Sequence, residues 1–464
     1  MTLIKSISGI RGTVGDLPGD NLTPQDIVEC TAAYAAWLKN TGANTKIVLG
    51  RDGRISGKMY SSIVANTLIA MGFDVVDLGL STTPTVEVAV PVYQAGGGII
   101  LTASHNPKQW NALKLLNKEG EFISAKDGQE FLDYIGTDKI RYADVANLGK
   151  YTKDKGMIDK HIQSILDFSM VNVAAIQKKK FKIVVDCINS TGAISVPPLL
   201  EKLGCECITI NEKVNGDFAH NPEPLARHLT ELSARVISEK ADLGISIDPD
   251  VDRLAFVSEN GEMFGEEYTL VAIADYMLSE NGGGNTVSNL SSTRALRTVT
   301  EKHGGTYFAA AVGEVNVVTK MKEVNALIGG EGNGGVIVPG FHYGRDALIG
   351  IGLFLSLLAK KGQKMTALRA DYPSFAMVKD KIQLIDGLDV DGLLKDLYEI
   401  YQEEDCLTID GLKIDFSESW IHLRKSNTEP ILRVYAEAAT IEKAEALVDK
   451  MKKEVQNWME VCRK

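Results

Sequence analysis

Residues 46–79, KIVLGRDGRISGKMYSSIVANTLIAMGFDVVDLG, contain the pattern that decides the fold. A β-branched run precedes a polar loop, a stretch with apolar residues at helical spacing, and a second β-branched run. This order predicts two parallel strands joined by a crossover helix. Residues 182–210 repeat the pattern, and residues 285–312 repeat it in a weaker form. The sequence therefore predicts an α/β protein with three similar domains, each built on a mixed sheet.

The C-terminal part of the chain does not follow this pattern. WIHLR at 420–424 and ILRVYAEA at 431–438 predict an antiparallel strand pair on either side of the loop KSNTEP. An amphipathic helix should begin near Thr440, with apolar residues at Ala444, Leu447, Val448, Met451, Val455 and Trp458. We therefore expect a C-terminal α+β domain and, around a central cleft, four domains at residues 1–150, 151–256, 257–368 and 369–464.

The composition is that of a soluble globular chain. Of 464 residues, 44% are apolar and 24% are charged, and the net charge of −11 argues against a general nucleic-acid binder. The most membrane-like stretch, Leu348 to Ala359, is too short to cross a bilayer, so we expect a buried helix there. The N-terminus lacks a signal-peptide core, and the six cysteines include no CxxC pair. These features favour a cytoplasmic protein without nucleic-acid or membrane partners.

Three unusual polar loops follow apolar runs, one in each of the similar domains. They are TASHNP at 102–107, DPDVDR at 248–253 and GEGNGG at 330–335. In open α/β sheets, ligands bind beyond the carboxyl ends of the strands. Because the three domains are similar, we expect the three loops to face one shared cleft.

The loop DPDVDR predicts a divalent metal site. Asp248, Asp250 and Asp252 alternate, and in an extended chain this alternation places all three carboxylates on one side. Carboxylates so close together repel one another, and oxygen ligands favour a hard cation such as Mg²⁺. A Ca²⁺ loop of EF-hand type is an alternative because Glu259 occupies its twelfth position, although Arg253 stands where that loop needs glycine. A solvated acidic turn is the other alternative.

Ser104 in TASHNP is a candidate nucleophile or phosphorylation site because it lies in a tight loop after an apolar strand. A loop held by local hydrogen bonds would explain an isolated SHNP sequence equally well. His105, Lys108 and Lys114 add a titratable group and positive charges, which favours phosphoryl transfer. Nothing else in the sequence resembles the remaining parts of a protease triad.

Two further groupings suit a sugar phosphate. The loop between the C-terminal strands combines guanidinium, hydroxyl and amide donors that could bind a phosphate dianion, namely Arg424, Ser426, Asn427, Thr428 and Arg433. Glu331 lies between glycines beside Asn333, and a carboxylate with an amide suits paired sugar hydroxyls. Taken separately, each grouping has a simpler explanation. The first could be ordinary polar residues on the protein surface, and the second could be a flexible acidic loop.

Together, the four loops resemble those of the α-D-phosphohexomutases, which include phosphoglucomutase, phosphomannomutase and phosphoglucosamine mutase. TASHNP resembles the phosphoserine loop, DPDVDR the metal loop, GEGNGG the sugar loop and RKSNTEP the phosphate loop, in the family's order. GIRG around Arg11, GRDGR at 50–54 and NPEPL at 221–225 are also similar to family segments. The resemblance covers essentially the whole chain.

The resemblance implies that Ser104 carries a phosphoryl group and that Ser104 and the three aspartates hold Mg²⁺. The phosphoserine would donate to a hexose or hexosamine phosphate, and the bisphosphate intermediate would reorient before its other phosphate returns to the serine. Catalytic roles would belong to Ser104, His105, Lys114 and Arg11, without a choice of proton carrier. Substrate would be bound by Arg253, Glu331, Asn333, Arg424, Ser426, Asn427, Thr428 and Arg433.

The sugar loop departs from the common GE-x-S-G-H pattern, with Asn333 in place of serine and Gly335 in place of histidine. Ser291 also stands where many mutases carry lysine. The EGNGG pattern is similar to the archaeal-type branch, which favours phosphoglucosamine mutase, with mixed phosphomannomutase and phosphoglucomutase activity as the alternative. A metal-dependent sugar phosphatase and a non-catalytic sugar-phosphate sensor are more remote alternatives. A monomer or homodimer is expected.

Overall fold

The computed structural model describes residues 2–6, 9–385, 388–426 and 430–462. The first unit contains the strands β1 (Ile4–Ser6), β2 (Gly9–Thr13), β3 (Lys46–Arg51), β4 (Asp74–Leu80), β5 (Gly97–Leu101), β6 (Trp110–Leu116) and β7 (Tyr151–Lys153). Its helices are α1 (Pro24–Asn40), α2 (Gly57–Ala70), α3 (Thr83–Val92) and α4 (Ala125–Leu132). The quoted stretch 46–79 thus forms β3, α2 and β4, as its pattern predicts.

The sheet of the first unit is mixed and has helices on both faces. Its strand order is β1-β2-β6-β5-β3-β4-β7, with β3 parallel to β4 and β5, and with β6 antiparallel to β2 and β5. Ile47 and Leu49 pack into the core with α1 and α2, whereas Val48 packs on the opposite face with α3. The alternation of apolar side chains along β3 therefore covers both faces of the sheet.

The second and third units repeat this α/β plan with smaller sheets. The second contains α5 (Met157–Asp167), α6 (Val173–Lys179), β8 (Lys182–Asp186), α7 (Gly192–Lys202), β9 (Glu206–Ile210), α8 (Thr230–Glu239), β10 (Leu243–Ile247) and β11 (Leu254–Ser258). The third contains α9 (Glu266–Asn281), β12 (Asn285–Asn289), α10 (Ala295–Lys302), β13 (Tyr307–Ala310), α11 (Glu314–Glu323), β14 (Ala326–Glu331), β15 (Gly335–Val338), β16 (His342–Arg345), α12 (Ala347–Lys361) and α13 (Met365–Ala370). Their strand orders are β11-β10-β8-β9 and β13-β12-β14-β15-β16.

The fourth unit differs in being antiparallel throughout its described strand pairs. It contains β17 (Ala376–Gln383), α14 (Val390–Ile400), β18 (Asp405–Leu407), β19 (Leu412–Asp415), β20 (Trp420–Lys425), β21 (Ile431–Ala438) and α15 (Ile441–Cys462). Strand β21 pairs antiparallel with both β17 and β20. Ala444, Val448, Met451 and Val455 of α15 are buried. The three mixed α/β sheets and the C-terminal α+β unit confirm the fold class expected from the sequence.

Helix α12 is buried between the second and third units. Every residue from Ala347 to Ala359 is buried, and the helix packs against α5, α6 and α9. An apolar surface on all sides suits a helix that has protein neighbours all round. The prediction of a buried helix is confirmed, and none of the described helices is long and apolar enough to span a bilayer.

Candidate active site

Ser104 lies in a tight loop directly after β5. Its backbone has φ +48°, in the left-handed region that residues other than glycine rarely adopt, and the residue is 7% exposed. The Ser104 amide donates to Thr102 Oγ1 at 2.9 Å, and Thr102 Oγ1 donates to Asp52 Oδ2 at 2.7 Å. The serine is therefore held in an unfavourable backbone conformation by a chain of buried hydrogen bonds.

A buried arginine from the segment GRDGR completes this support. Arg54 is 1% exposed, and its guanidinium donates to the carbonyl oxygens of Ser104 and Asn106, both at 2.6 Å. It also donates to the carbonyls of Pro107 and Trp110 at 2.8 Å, and to Asp52 Oδ2 at 3.0 Å. A planar guanidinium can satisfy several acceptors at once, so this side chain fixes the shape of the serine loop.

The three aspartates after β10 converge through a turn. One carboxylate oxygen from each of Asp248, Asp250 and Asp252 lies within 4.8 Å of the others, and none of these residues is exposed. Val251, between them, has φ +63°, which is unfavourable for a β-branched residue. The carboxylates meet as expected, but alternation in an extended chain is the wrong cause, because a strained turn brings them together.

The serine and the aspartates meet across the boundary between the first two units. Ser104 Oγ donates to Asp248 Oδ2 at 2.6 Å. Asp250 Oδ1 and Asp252 Oδ1 are buried and have no hydrogen-bond partner within the described residues. An all-oxygen donor set with unpartnered acceptors fits a hard cation such as Mg²⁺. Glu259 instead accepts from Thr366 Oγ1 at 2.5 Å and is not part of the cluster, which argues against an EF-hand loop.

Lys114 and Thr83 of the first unit also contact the aspartates. Lys114 Nζ, from β6, donates to Asp250 Oδ2 at 2.8 Å and to Asp252 Oδ2 at 3.2 Å. Thr83 Oγ1 donates to Asp250 Oδ2 at 2.6 Å. Although burial opposes the change, these two aspartates raise the pKa of Lys114 above its ordinary value. Lys114 is therefore a cation placed between two carboxylates near the serine.

His105 lies beside Ser104, and the charge of Arg253 acts on His105. His105 Nδ1 is 3.4 Å from Ser104 Oγ, and burial, together with the Arg253 guanidinium, lowers the pKa of His105 to about 2. The imidazole is accordingly neutral. Arg253 Nε is buried without a hydrogen-bond partner among the described residues. A buried donor with no acceptor near a reactive hydroxyl suits an anion that the structure does not contain.

The sugar loop is held by an arginine that joins the second and third units. Arg345 Nη1 donates to Glu331 Oε2 at 2.8 Å, and Nη2 donates to Asp252 Oδ2 at 2.7 Å. Its Nε donates to Glu314 Oε2 at 2.9 Å. Glu331 Oε1 also accepts from Asn289 Nδ2 at 3.0 Å. One guanidinium thus connects a candidate metal ligand with the carboxylate expected to bind sugar hydroxyls.

Arg345 also accounts for the departure at position 335. A Cβ atom added to Gly335 would lie 2.3 Å from Arg345 Cδ, so the arginine occupies the space that any side chain at 335 would need. Asn333 is half-buried, and its Oδ1 accepts from the Gly335 amide at 3.2 Å. The side chain of Arg345, from β16, therefore fills the space beside Gly335.

Two arginines without acidic partners meet between the first and fourth units. Arg11 lies on β2 and Arg433 on β21, and no ion pair of either occurs in the described part of the chain. Burial and the neighbouring Arg433 charge lower the pKa of Arg11 below its ordinary value. Arg433 Nε is buried and has no hydrogen-bond partner among the described residues. Two guanidiniums close enough to influence each other, one with an unsatisfied donor, are suited to bind a dianion.

Arg424 lies beside Arg433 in the strand register but has an internal partner. Its Nε donates to the Asp410 carboxylate, 2.8 Å from Oδ2, and Asp410 Oδ2 also accepts from the Val312 amide at 2.9 Å. Ser426 is 6% exposed, and its amide donates to the Ile431 carbonyl at 3.0 Å. Asn427 and Thr428 lie outside the described residues.

Ser291 faces the fourth unit, where it replaces the lysine of many mutases. Its hydroxyl is 3.0 Å from His422 Nδ1 on β20. Burial lowers the pKa of His422 to about 4, so this imidazole is neutral. In place of a lysine, this chain therefore has a hydroxyl–imidazole hydrogen bond between the third and fourth units.

Sequence reasoning missed three supporting groups of this site: Arg54, Thr83 and Arg345. The segment GRDGR is similar to a family segment, but its sequence does not show which carbonyls Arg54 reaches, and the sequence around Arg345 does not show which carboxylates that arginine contacts. Thr83 carried no signal because a threonine next to proline is ordinary at the first turn of a helix.

Comparison with known proteins places the whole chain in one family. The domain models of the phosphoglucomutase/phosphomannomutase family match in order: alpha/beta/alpha domain I at residues 3–140, domain II at 159–261, domain III at 265–375 and the C-terminal domain at 376–454. A solved structure from Burkholderia thailandensis, described as a phosphoglucomutase/phosphomannomutase family protein, shares the fold with a TM-score of 0.85. Its sequence is 24% identical, and the match covers 98% of this chain and 97% of that one.

Two curated relatives come from archaea, in agreement with the branch expected from the EGNGG pattern. A phosphoglucomutase/phosphomannomutase of Thermococcus kodakarensis is 33% identical over 440 residues, which is 94% of each chain. A phosphoglucosamine/phosphogalactosamine mutase of Sulfurisphaera tokodaii is 33% identical over 454 residues, which is 97% of this chain and 98% of that protein. The chain therefore belongs to the phosphoglucomutase/phosphomannomutase family of phosphohexomutases, which are isomerases.

Proposed function

We propose that this phosphohexomutase interconverts the 1-phosphate and the 6-phosphate of a hexosamine, with glucosamine phosphate as the preferred substrate. The names of several relatives support the amino sugar, among them the Sulfurisphaera tokodaii protein and a probable phosphoglucosamine mutase of Methanopyrus kandleri that is 32% identical over 460 residues. Mixed activity on mannose and glucose phosphates is the alternative. A cytoplasmic location and a monomer or homodimer stay predictions.

The observation that carries the proposed mutase reaction is the 2.6 Å hydrogen bond from Ser104 Oγ to Asp248 Oδ2. It places a serine hydroxyl from one unit against three buried carboxylates of the next. We propose that Ser104 carries the phosphoryl group, and that Ser104, Asp248, Asp250 and Asp252 hold Mg²⁺. When bound, the cation would neutralise charge that develops on the transferred phosphoryl group.

The chain's own residues have distinct tasks in this proposal. Arg253 Nε, which has no hydrogen-bond partner among the described residues, would donate to the phosphoryl oxygens on the serine. Lys114, which contacts Asp250 and Asp252, and His105, which lies beside Ser104, are the candidates for moving a proton to and from the reacting sugar hydroxyl. Arg11, the third residue expected to have a catalytic role, lies near Arg433 and would bind phosphate instead. Glu331 and Asn333 would bind the sugar hydroxyls.

The second phosphate of the substrate would bind at the other end of the cleft. Arg11 and Arg433 form the cationic pair there, and Arg424, Ser426, Asn427 and Thr428 would surround the same phosphate. In one orientation this site holds the 6-phosphate while the 1-position reacts, and after the bisphosphate has turned it holds the 1-phosphate. One serine can therefore serve both positions of the hexose.

A coupled assay with glucosamine, mannose and glucose 1-phosphates tests the proposed substrate. We expect the highest kcat/KM for glucosamine 1-phosphate, complete dependence on Mg²⁺, and formation of the corresponding 6-phosphate. A higher kcat/KM for mannose or glucose 1-phosphate would refute the hexosamine preference but leave the mutase reaction intact. Release of inorganic phosphate at the rate of turnover would show a phosphatase instead.

A further inference from the structure

A second cluster of metal-ligating side chains, made of residues other than the three aspartates, lies where the first three units meet. His161 Nε2, from α5, is 3.0 Å from Asp346 Oδ2, and His342 Nε2, from β16, is 3.2 Å from the same oxygen. His161 and Asp346 are fully buried, whereas the side chain of His342 is 13% exposed. Asp346 Oδ1 caps α12 by accepting from the Leu348 amide at 2.8 Å. Oδ2 is thus the oxygen directed at both imidazoles.

The outer nitrogens of the two imidazoles also face oxygen atoms. His161 Nδ1 is 2.9 Å from Thr85 Oγ1, and His342 Nδ1 is 3.6 Å from Glu87 Oε2, both on α3 of the first unit. The contact between His161 and Thr85 is a hydrogen bond, of the kind that fixes the ring of a metal-bound histidine. Glu87 faces His342 at ion-pair distance without a hydrogen bond.

Glu87 is the feature that a simple hydrogen-bond network leaves unexplained. The residue is 2% exposed, yet neither carboxylate oxygen has a hydrogen-bond partner within the described residues. Such burial is expensive for an isolated carboxylate. A buried carboxylate without a hydrogen bond is stabilised by a positive charge in direct contact with it. A cation bound to His342 would supply that charge.

We propose that His161 Nε2, His342 Nε2 and Asp346 Oδ2 bind a Zn²⁺-class transition metal ion, with Thr85 and Glu87 orienting the two imidazoles. Two nitrogens and one oxygen match the donors that Zn²⁺ prefers, whereas the all-oxygen set at Asp248, Asp250 and Asp252 suits Mg²⁺. In a tetrahedral site whose ligand atoms lie about 2.1 Å from the ion, two ligand atoms are roughly 3.4 Å apart. The distances from Asp346 Oδ2 to His161 Nε2 and His342 Nε2, 3.0 and 3.2 Å, are close to that value.

The role of this ion is structural. Its ligands and their supporting side chains come from α3, α5 and the β16–α12 junction, one in each of the first three units. The ion would tie these units together near the strand that carries Arg345. None of its ligands belongs to the proposed substrate or Mg²⁺ site, although Asp346 directly follows Arg345 in the chain.

Zinc binding to the full-length protein tests this site. The purified enzyme is stripped with a chelator, equilibrated with Zn²⁺ in a large excess of Mg²⁺, freed of unbound metal and analysed for bound zinc. We expect one Zn²⁺ per wild-type chain, none in His342→Gln, and 10- to 100-fold weaker binding in Glu87→Gln, which keeps the volume of the side chain. Asp250→Asn is the matched control and should bind Zn²⁺ as the wild type does.

Co²⁺ provides a second readout that reports coordination directly. The wild type and Asp250→Asn should both show the visible absorption of tetrahedral Co²⁺, and His342→Gln should not. The wild type should also melt at a higher temperature with Zn²⁺ than without it, and His342→Gln should show no such difference. Absence of bound zinc in the wild type, equal binding by His342→Gln, or loss of zinc in Asp250→Asn would each overturn the assignment.

Discussion

Removing the Arg345 guanidinium should damage the metal loop and the sugar loop at the same time. The side chain makes buried charged hydrogen bonds of 2.7, 2.8 and 2.9 Å to Asp252, Glu331 and Glu314. Removing one partner of a buried ion pair typically costs about 3–5 kcal/mol, because the other charge stays buried. Here three carboxylates would lose the same cation in Arg345→Ala.

We expect Arg345→Ala to lower kcat/KM by about 10- to 100-fold and to raise the Mg²⁺ concentration needed for half-maximal activity, because Arg345 orients the proposed ligand Asp252. The assay is the steady-state mutase rate over a Mg²⁺ titration. Arg235→Ala is the matched control, since Arg235 pairs with Glu239 at 2.9 Å but is 48% exposed, and such pairs contribute little. This control should behave as the wild type.

A double-mutant cycle with Gly335→His tests the proposed exchange of space. The single change should be destabilising by about 1–3 kcal/mol, because the new Cβ would lie 2.3 Å from Arg345 Cδ. In the double variant Gly335→His/Arg345→Ala the clash is absent and an imidazole is available near Glu331. The loss of folding free energy in the double variant should therefore be smaller than the sum of the losses in the two single variants. Strict additivity, or a Mg²⁺ requirement unchanged in Arg345→Ala, would refute this reasoning.

Three further predictions concern the metal, the phosphate and pH. Asp250→Asn should lower kcat by orders of magnitude without changing the melting temperature much, and chelation should abolish wild-type activity that Mg²⁺ then restores. Arg433→Met should raise KM in both reaction directions, corresponding to about 1.5–3 kcal/mol for a lost charged hydrogen bond, and should release more free bisphosphate per turnover. Burial raises the pKa of Glu267 from 4.5 to about 8, so the folded chain holds a proton that the unfolded chain releases. Relative to Glu267→Gln, wild-type stability should therefore fall by about 1.4 kcal/mol per pH unit between these two values, as measured by denaturant unfolding.

The sequence predicts this fold well because local pattern and tertiary structure agree. Residues 46–79 alternate between strand and helix periodicity at the positions where β3, α2 and β4 occur. The apolar surface of α12 is explained by its neighbours on all sides, and no tertiary information was needed to expect a buried helix. The limits of the four domains stay a prediction, since α5, α6 and α13 lie between sheets.

The site could be predicted only as a set of loops. The chemistry of a serine and of three aspartates indicates phosphoryl transfer and a hard cation. The aspartates converge, however, because the backbone of Val251 is left-handed, and no sequence periodicity reveals that conformation. Arg345 and Arg54 could not be assigned, because their partners are far away in the sequence or are backbone carbonyls. The loop ADYPS at residues 370–374, a linker before the fourth unit, also predicts hinge motion there, and this stays a prediction. Tyr268 Oη donates to the Pro373 carbonyl at 2.8 Å, which anchors that linker to α9.

The most direct test of the account is the fate of the phosphoryl group on Ser104. Intact-mass analysis of the active enzyme, followed by peptide mapping, should find one phosphoryl group on Ser104 and none in Ser104→Ala. Adding one equivalent of glucosamine 1-phosphate should transfer that group to the sugar as bisphosphate, and Ser104→Ala should be inactive. A phosphoryl group on another residue, or full activity in Ser104→Ala, would contradict the account.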